Sequence, residues 1–492
     1  MSASTTPKVG APGAATASAE AEPLKLRGNL GVVGLVFTVL AFNAPLAVMA
    51  GFVPVVIAFG NGIGAPTSFV GIGVLLTLFA VGLTTMSKYM RSPGAFYSYI
   101  VAGIGRPLGL GSALLAFVSY LAIASCSYAF GGILVDALVQ GVLHGPAVHW
   151  WVWSILLWVV TSSMTLLDID LSAKVLGTLM CGEVVMVLIW IATVGVDGGQ
   201  SGISIDSFKP SVFLSGSISF GLLFALLSSL GFEAVAVFRE ETRDPVKTVP
   251  RATYLSVILL TGFYAVGAWA YITAFGPTKA LSASAADPSG SFTASIGQYV
   301  GKTAVDIVSV LLVTSAFAAL LATQNIAARY LYTLGSDAVL PRALGKVHRK
   351  FGSPYVAAIV VAGMTLLGFG IPTIFGADPV KLYAGLAGLG AVGIVFLMTA
   401  TNVGIVLFFR RNPEHDPGVF KGVIAPALAF LGLGTILVLA VKNMAVVVGG
   451  TQTLANICTA FLVIVVAAGI GLALYYRQSR PEVYARIGRQ DL

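Results

Sequence analysis

Two apolar stretches of this chain are too long for one straight membrane helix, and each is interrupted near its middle. The first runs from Leu30 to Gly60 around Ala41-Phe42-Asn43-Ala44-Pro45. The second runs from Val212 to Phe238 around Ser228-Ser229-Leu230-Gly231-Phe232-Glu233. Counted along the chain they are the first and the sixth apolar segments. Interrupted segments at matching places in two halves point to inverted repeats, with a binding site at the bilayer midplane between the half-helices.

The other segments follow the same solvent logic. Of the 492 residues, 57% are hydrophobic and 10% charged, where a soluble domain carries roughly 25% charged residues. The runs are continuous rather than alternating every second residue, so they read as helices spanning about 30 Å of hydrocarbon and not as barrel strands. Twelve spans are expected, near 30–59, 66–90, 107–138, 149–167, 172–196, 212–238, 251–275, 303–335, 355–375, 382–409, 422–441 and 452–476. The fold class is therefore an all-α integral membrane protein with discontinuous helices one and six. Repeat one covers about 30–196 and repeat two about 212–409, with helices eleven and twelve (422–476) appended. Residues 1–27 read as a disordered cytoplasmic tail, 28–476 as the transporter domain and 477–492 as a short basic tail able to touch anionic lipid.

The net charge of +8 is a matter of topology. With both termini cytoplasmic, 23 of the 28 Lys and Arg residues fall on the cytoplasmic side. Lys209, Lys279, Lys302, Lys381 and Lys442 make up the rest. That bias sets the orientation in a cytoplasmic membrane and removes the need for a nucleic-acid partner. Cys126, Cys181 and Cys458 all lie in spans without metal spacing and read as small buried packing residues. His144, His149, His348 and His415 lie in loops with no metal-ligand pattern. No catalytic constellation and no cofactor motif is present. A polytopic membrane enzyme remains a distant alternative, because such enzymes place their acids in sizeable aqueous loops. A channel would need a filter sequence or a charged ring.

The chemistry of the breaks follows from backbone polarity. Pro45 removes a donor and clashes with the turn before it. Carbonyls freed near Phe42 and Asn43 carry partial negative charge, and amides freed from Ala44 to Leu46, either side of Pro45, mark the positive start of the next half-helix. Ser228, Ser229, Gly231 and Phe232 would offer a second such pair, with Gly231 permitting the unwound backbone. An amino compound uses the carbonyls for its ammonium, and a carboxylate, where present, uses the amides. A Pro kink that only improves packing is the alternative. Glu233 lies beside the second break, and an acid at that depth must be paired or protonated. It suits gating, proton coupling or a structural clamp. Tyr120 and Tyr128, two turns apart in the third span, share a helix face and could line a pocket or pack as aromatics. Gly385 to Gly390 in the tenth span would permit either flexing or close packing. The loop Arg239 to Arg251 mixes both charges and reads as a salt-bridge network at the inner gate or as a solvated loop.

Four blocks resemble those of the amino acid–polyamine–organocation (APC) permeases. They are Pro93-Gly94-Ala95-Phe96-Tyr97-Ser98-Tyr99 with Gly105-Arg106-Pro107-Leu108-Gly109; Gly231-Phe232-Glu233; Glu240 to Pro245 running to Val249-Pro250-Arg251-Ala252; and Arg329-Tyr330-Leu331-Tyr332 with Asp337 and Leu340-Pro341. The resemblance covers Gly28 to about Tyr484. It implies the leucine-transporter fold of 5+5 inverted repeats and a secondary transporter for amino acids or related amines, with a substrate exchanger as the close rival. The family's usual glycine-rich break is here Phe42-Asn43-Ala44-Pro45, and its second loop glycine is Ala95. The resemblance also implies that Glu183 of the fifth span falls where a second sodium ion sits in some relatives, between spans one and eight. There it could carry a proton, hold sodium with Thr314 or Ser315, or stay protonated and bond a neighbouring backbone carbonyl. Proton symport into the cell is the expected coupling, with sodium as the other ion considered; the substrate's identity and charge and the oligomeric state stay open at this point.

Overall fold

The computed structural model describes residues 31–90, 96–167, 173–232, 235, 242, 244–348 and 353–488. Among the described residues, ten helices are long and apolar enough to cross a membrane. Span two is Gly62–Ser87, three Arg106–Gly141, four Trp150–Leu167, five Ala173–Asp197, seven Pro245–Phe275, eight Lys302–Ser336, nine Tyr355–Ile374, ten Pro379–Arg411, eleven Phe420–Lys442 and twelve Gln452–Ser479. With the two broken spans they make the twelve expected from the sequence.

Span one is three pieces, Val32–Asn43, Pro45–Gly51 and Val53–Phe59. Ala44 stands between the first two with φ 53° and ψ 68°, a left-handed conformation that ends a right-handed helix. Pro45 then takes the first position of the next helix, where its missing N–H costs nothing and its fixed φ suits the turn. Span six begins at Ile218 and its first helix ends at Leu227. Gly231 follows at φ 106°. The expected start of this span at Val212 is too early. Pro210–Phe213 is a separate helical turn, and Gly216, at φ 63°, bends the chain before the span. The Ser217 N–H then donates to the Gly60 carbonyl at 2.9 Å, tying the ends of the two broken spans together.

Helix packing carries the repeat. Spans two and seven pack on each other, as do three and eight, and four and nine. Each pair is separated by five places. Exchanging every span for its counterpart five places on maps one–seven onto six–two, three–ten onto eight–five, five–seven onto ten–two and one–five onto six–ten, and all of these contacts are present. Five is odd, so the second repeat enters the bilayer with opposite polarity. Spans eleven and twelve are built onto this frame, eleven against ten and two, twelve against three. Their remaining surface is apolar, and Val463 and Ile464 are 62% and 63% exposed, as side chains facing lipid tails would be.

Several local expectations shift. Span seven starts at Pro245 rather than 251, because Asp244 caps its first turn by accepting from the Lys247 N–H at 3.4 Å. The second part of the Arg239–Arg251 loop is therefore helix, with Asp244 and Lys247 paired at 3.6 Å; Arg239, Glu240, Glu241 and Arg243 lie outside the described residues. Phe96–Gly103, read as loop, is a buried helix packed against spans three and ten. The residues after span twelve fold back. Arg106 lies 5.4 Å from the Tyr484 ring and donates to the Ala485 carbonyl at 3.5 Å, and Ile487 is buried. Cys126 is buried as expected, but Cys181 is exposed, because that face of span five turns outward. The expected tail 1–27 and residues 489–492 lie outside the described set.

Candidate functional site

The two breaks meet through one side chain. Asn43 is the last residue of the first helix of span one and is buried. Its Nδ2 donates to the Ser228 carbonyl at 2.8 Å and to the Leu230 carbonyl at 2.7 Å. Its Oδ1 accepts from the Tyr264 hydroxyl of span seven. The amide's orientation is fixed by its partners, since backbone carbonyls can only accept and the NH2 group must face them. Both carbonyls lie beyond Leu227, the last residue of the first helix of span six. The Ser228 and Ser229 hydroxyls do not reach across. They donate back to Phe224 and Ala225 of their own helix, at 2.7 and 2.9 Å.

The second junction lies one turn along span one. The Leu46 N–H, in the first turn of the Pro45 helix, donates to Glu183 Oε2 at 3.2 Å. Ser315 of span eight donates to the same oxygen at 2.8 Å. Glu183 is buried. A carboxylate at the start of a helix is stabilised by the dipole and by the unpaired amides there. Thr314 does not join it, because its hydroxyl donates to Leu311 of its own helix at 2.9 Å. Ser315 is thus the span-eight oxygen that touches the acid, while Thr314 is turned away.

The remaining candidates separate. Phe232 is fully buried and packs edge-on against Phe79 of span two, with centroids 6.1 Å apart. Tyr120 stacks on Tyr330 of span eight at 5.5 Å. Tyr128 packs with Leu320 and Phe369 in a cluster separate from the main core. Its hydroxyl bonds Thr161 of span four at 2.7 Å and donates to Gln324, whose amide donates to Ser162 at 3.1 Å. The structure does not bring Tyr128 to the breaks; it is a hub between spans three, four, eight and nine. Glu233 and the Phe42 side chain lie outside the described residues. In span ten, which is one continuous helix, a Cβ on Gly390 would stand 2.8 Å from the Ser119 carbonyl, and one on Gly388 would stand 2.4 Å from the Val447 carbonyl. Close packing accounts for these glycines.

Tyr264 is not singled out by the sequence reading, and Leu230 enters it only as part of the break around Ser228 to Phe232. Leu230 acts through its carbonyl, which no side-chain pattern reveals. Tyr264 is a buried hydroxyl inside an apolar span, and such a group needs a polar partner. That signal exists in the sequence, but it does not name the partner.

Comparison with known proteins agrees with this architecture. The amino acid permease family matches residues 32–468. The low-affinity putrescine importer PlaP of Escherichia coli (strain K12) is 24% identical over 353 residues, 70% of this chain and 75% of that protein. The branched-chain amino acid permease BcaP of Bacillus subtilis (strain 168) is 25% identical over 388 residues, 75% of this chain and 79% of its own. The lysine-specific permease LysP of Lactococcus lactis subsp. cremoris (strain MG1363) is 24% identical over 350 residues, 66% of each chain. A family match spanning nearly all of a twelve-span helical frame whose first and sixth spans are broken places this chain among the amino acid permeases of the APC superfamily, as a multi-pass membrane transporter and not an enzyme.

Proposed function

We propose that this permease carries amino acids or related amines into the cell across the cytoplasmic membrane, coupled to protons, by alternating access about the breaks of spans one and six. The observation that carries the reading is the convergence at those breaks: two backbone carbonyls of span six, the break residue Asn43 of span one that bonds both, and a buried acid one turn away. Backbone carbonyls suit an ammonium, and a short amine presents its donors to them without a dedicated acidic partner. In this reading the Phe42 backbone and the buried Ala44, Pro45 and Gly231 complete the site. Both termini face the cytoplasm, in keeping with the distribution of basic residues.

Glu183 is the coupling group in this reading. As a carboxylate its Oε2 accepts from both Leu46 and Ser315 and so ties spans one, five and eight together. A proton on that oxygen removes much of its acceptor strength, and the Pro45 helix is released from span eight. Proton binding and movement of the half-helix then become one event. Relatives named for putrescine, branched-chain amino acids and lysine bracket the substrate as a small amino compound.

The test is uptake of labelled amino acids and short aliphatic amines into proteoliposomes with an empty lumen and an inward pH gradient. Accumulation that collapses with a protonophore is the expected result. Uptake only into liposomes preloaded with an amino compound would replace symport by exchange. Gly231→Leu should reduce uptake to background in a protein that still purifies as a single species, because a leucine at φ 106° cannot hold that backbone. Wild-type uptake by this variant would remove the site from span six.

A further inference from the structure

We propose that the Asn43 carboxamide is a built-in stand-in for the substrate's ammonium group, and that substrate binds by displacing it from the Ser228 and Leu230 carbonyls. The inference rests on the permease reading above and goes further, since it names what occupies the site between transport cycles and what sets its apparent affinity.

The geometry is that of a cation site filled by a neutral group. Two carbonyls just past the end of a helix converge within 2.8 Å of one nitrogen. Each carbonyl oxygen is an acceptor with partial negative charge, which suits a cation. An ammonium offers three donors and no acceptor, and a primary amide offers two donors from one nitrogen. Asn43 therefore satisfies the same pair with no net charge. Hydrogen bonds from an ionised donor are roughly twice as strong as neutral ones, so an arriving ammonium outcompetes the amide.

The other pole is filled in the same manner. The Leu46 N–H, the first amide of the Pro45 helix because Pro45 has none, already holds the Glu183 carboxylate. Between them, Asn43 and Glu183 satisfy across the break what the two charged ends of an amino acid would satisfy. Polar backbone left bare at membrane depth is costly, and these two side chains let the substrate-free break stay closed. Tyr264, fully buried, holds the amide in place through Oδ1.

A displaceable amide and a static tie differ in one measurable direction. When binding must first open a closed state, apparent affinity falls by the fraction of protein that is open. Tyr264→Phe removes the hydroxyl and leaves Asn43 Oδ1 buried without a donor, which destabilises the closed rotamer. The expected result is a half-saturation concentration about three- to tenfold lower than wild type, with maximal rate equal or reduced. Uptake kinetics of the common amino acids and short aliphatic mono- and diamines, in proteoliposomes, read this directly. Asn43→Ser, too short to span both carbonyls, should shift half-saturation the same way and serves where Tyr264→Phe is not monodisperse. An unchanged or raised half-saturation in the folded variants, beside working wild-type uptake, overturns the proposal and makes Asn43 a static tie. Absence of wild-type uptake for the whole panel overturns the proposed uptake of amino compounds, and the stand-in with it.

Discussion

Glu183 and Ala44 show how much single side chains decide in this frame. Glu183→Gln keeps an acceptor oxygen for Leu46 and Ser315 but cannot gain or lose a proton. In the symport reading it should abolish accumulation driven by a pH gradient while leaving exchange between preloaded amines measurable. Undiminished gradient-driven uptake would return Glu183 to a purely structural role. Ala44 is a second case. A non-glycine residue at φ 53° carries a cost of roughly 1–2 kcal/mol. Ala44→Gly should be tolerated with equal or higher thermal stability, and Ala44→Val should lower it by several degrees, read by thermal unfolding in detergent. The sequence marked this place through Pro45 and gave Glu183 its depth. It did not reveal that Leu46, Glu183 and Ser315 share one oxygen, because those residues are far apart in the chain and meet only through packing.

At the scale of elements, small residues and buried hydroxyls set how closely the spans approach. A Cβ on Gly390 would stand 2.6 Å from an Ile123 side-chain carbon and 2.8 Å from the Ser119 carbonyl. A backbone oxygen yields less readily than a side chain, so Gly390→Ala forces spans three and ten apart. A destabilisation of about 1–3 kcal/mol is expected, the usual size for overpacking, measured as a fall in unfolding midpoint. Tyr128→Phe removes the hydroxyl that joins Thr161 and Gln324. It should lower stability while leaving the half-saturation for substrate unchanged, since this cluster lies apart from the breaks. A changed half-saturation would bring Tyr128 back to the pocket. The glycine motif was visible in span ten, but a glycine that flexes and a glycine that packs look alike in sequence. The neighbouring helix decides, and here spans three and eleven flank it.

At the scale of the whole molecule, two ends of the bundle carry different chemistry. One end joins Lys279 to Gln200 at 3.1 Å and Trp269 to the Ser204 carbonyl at 2.9 Å. The other joins Arg411 to the Gly103 carbonyl at 2.7 Å and Tyr476 to the Val339 carbonyl at 2.8 Å. In a background lacking Cys126, Cys181 and Cys458, a membrane-impermeant thiol reagent should label Ser282→Cys on intact cells and spare Ser479→Cys until the membrane is opened; the reverse would invert the proposed orientation. The sequence by itself determined the class, the span count, the two breaks and the charge asymmetry. All of these follow from local quantities, namely the length of apolar runs, the position of a proline and the count of basic residues per loop. Only the tertiary structure decided which polar groups face each other across the breaks. It set Asn43 against two carbonyls and Tyr264, took Tyr128 away from them, and turned Thr314 back onto its own helix. The physical reason is that polar groups in an apolar interior must find partners within hydrogen-bonding reach, and which partner is within reach is a property of helix packing in three dimensions.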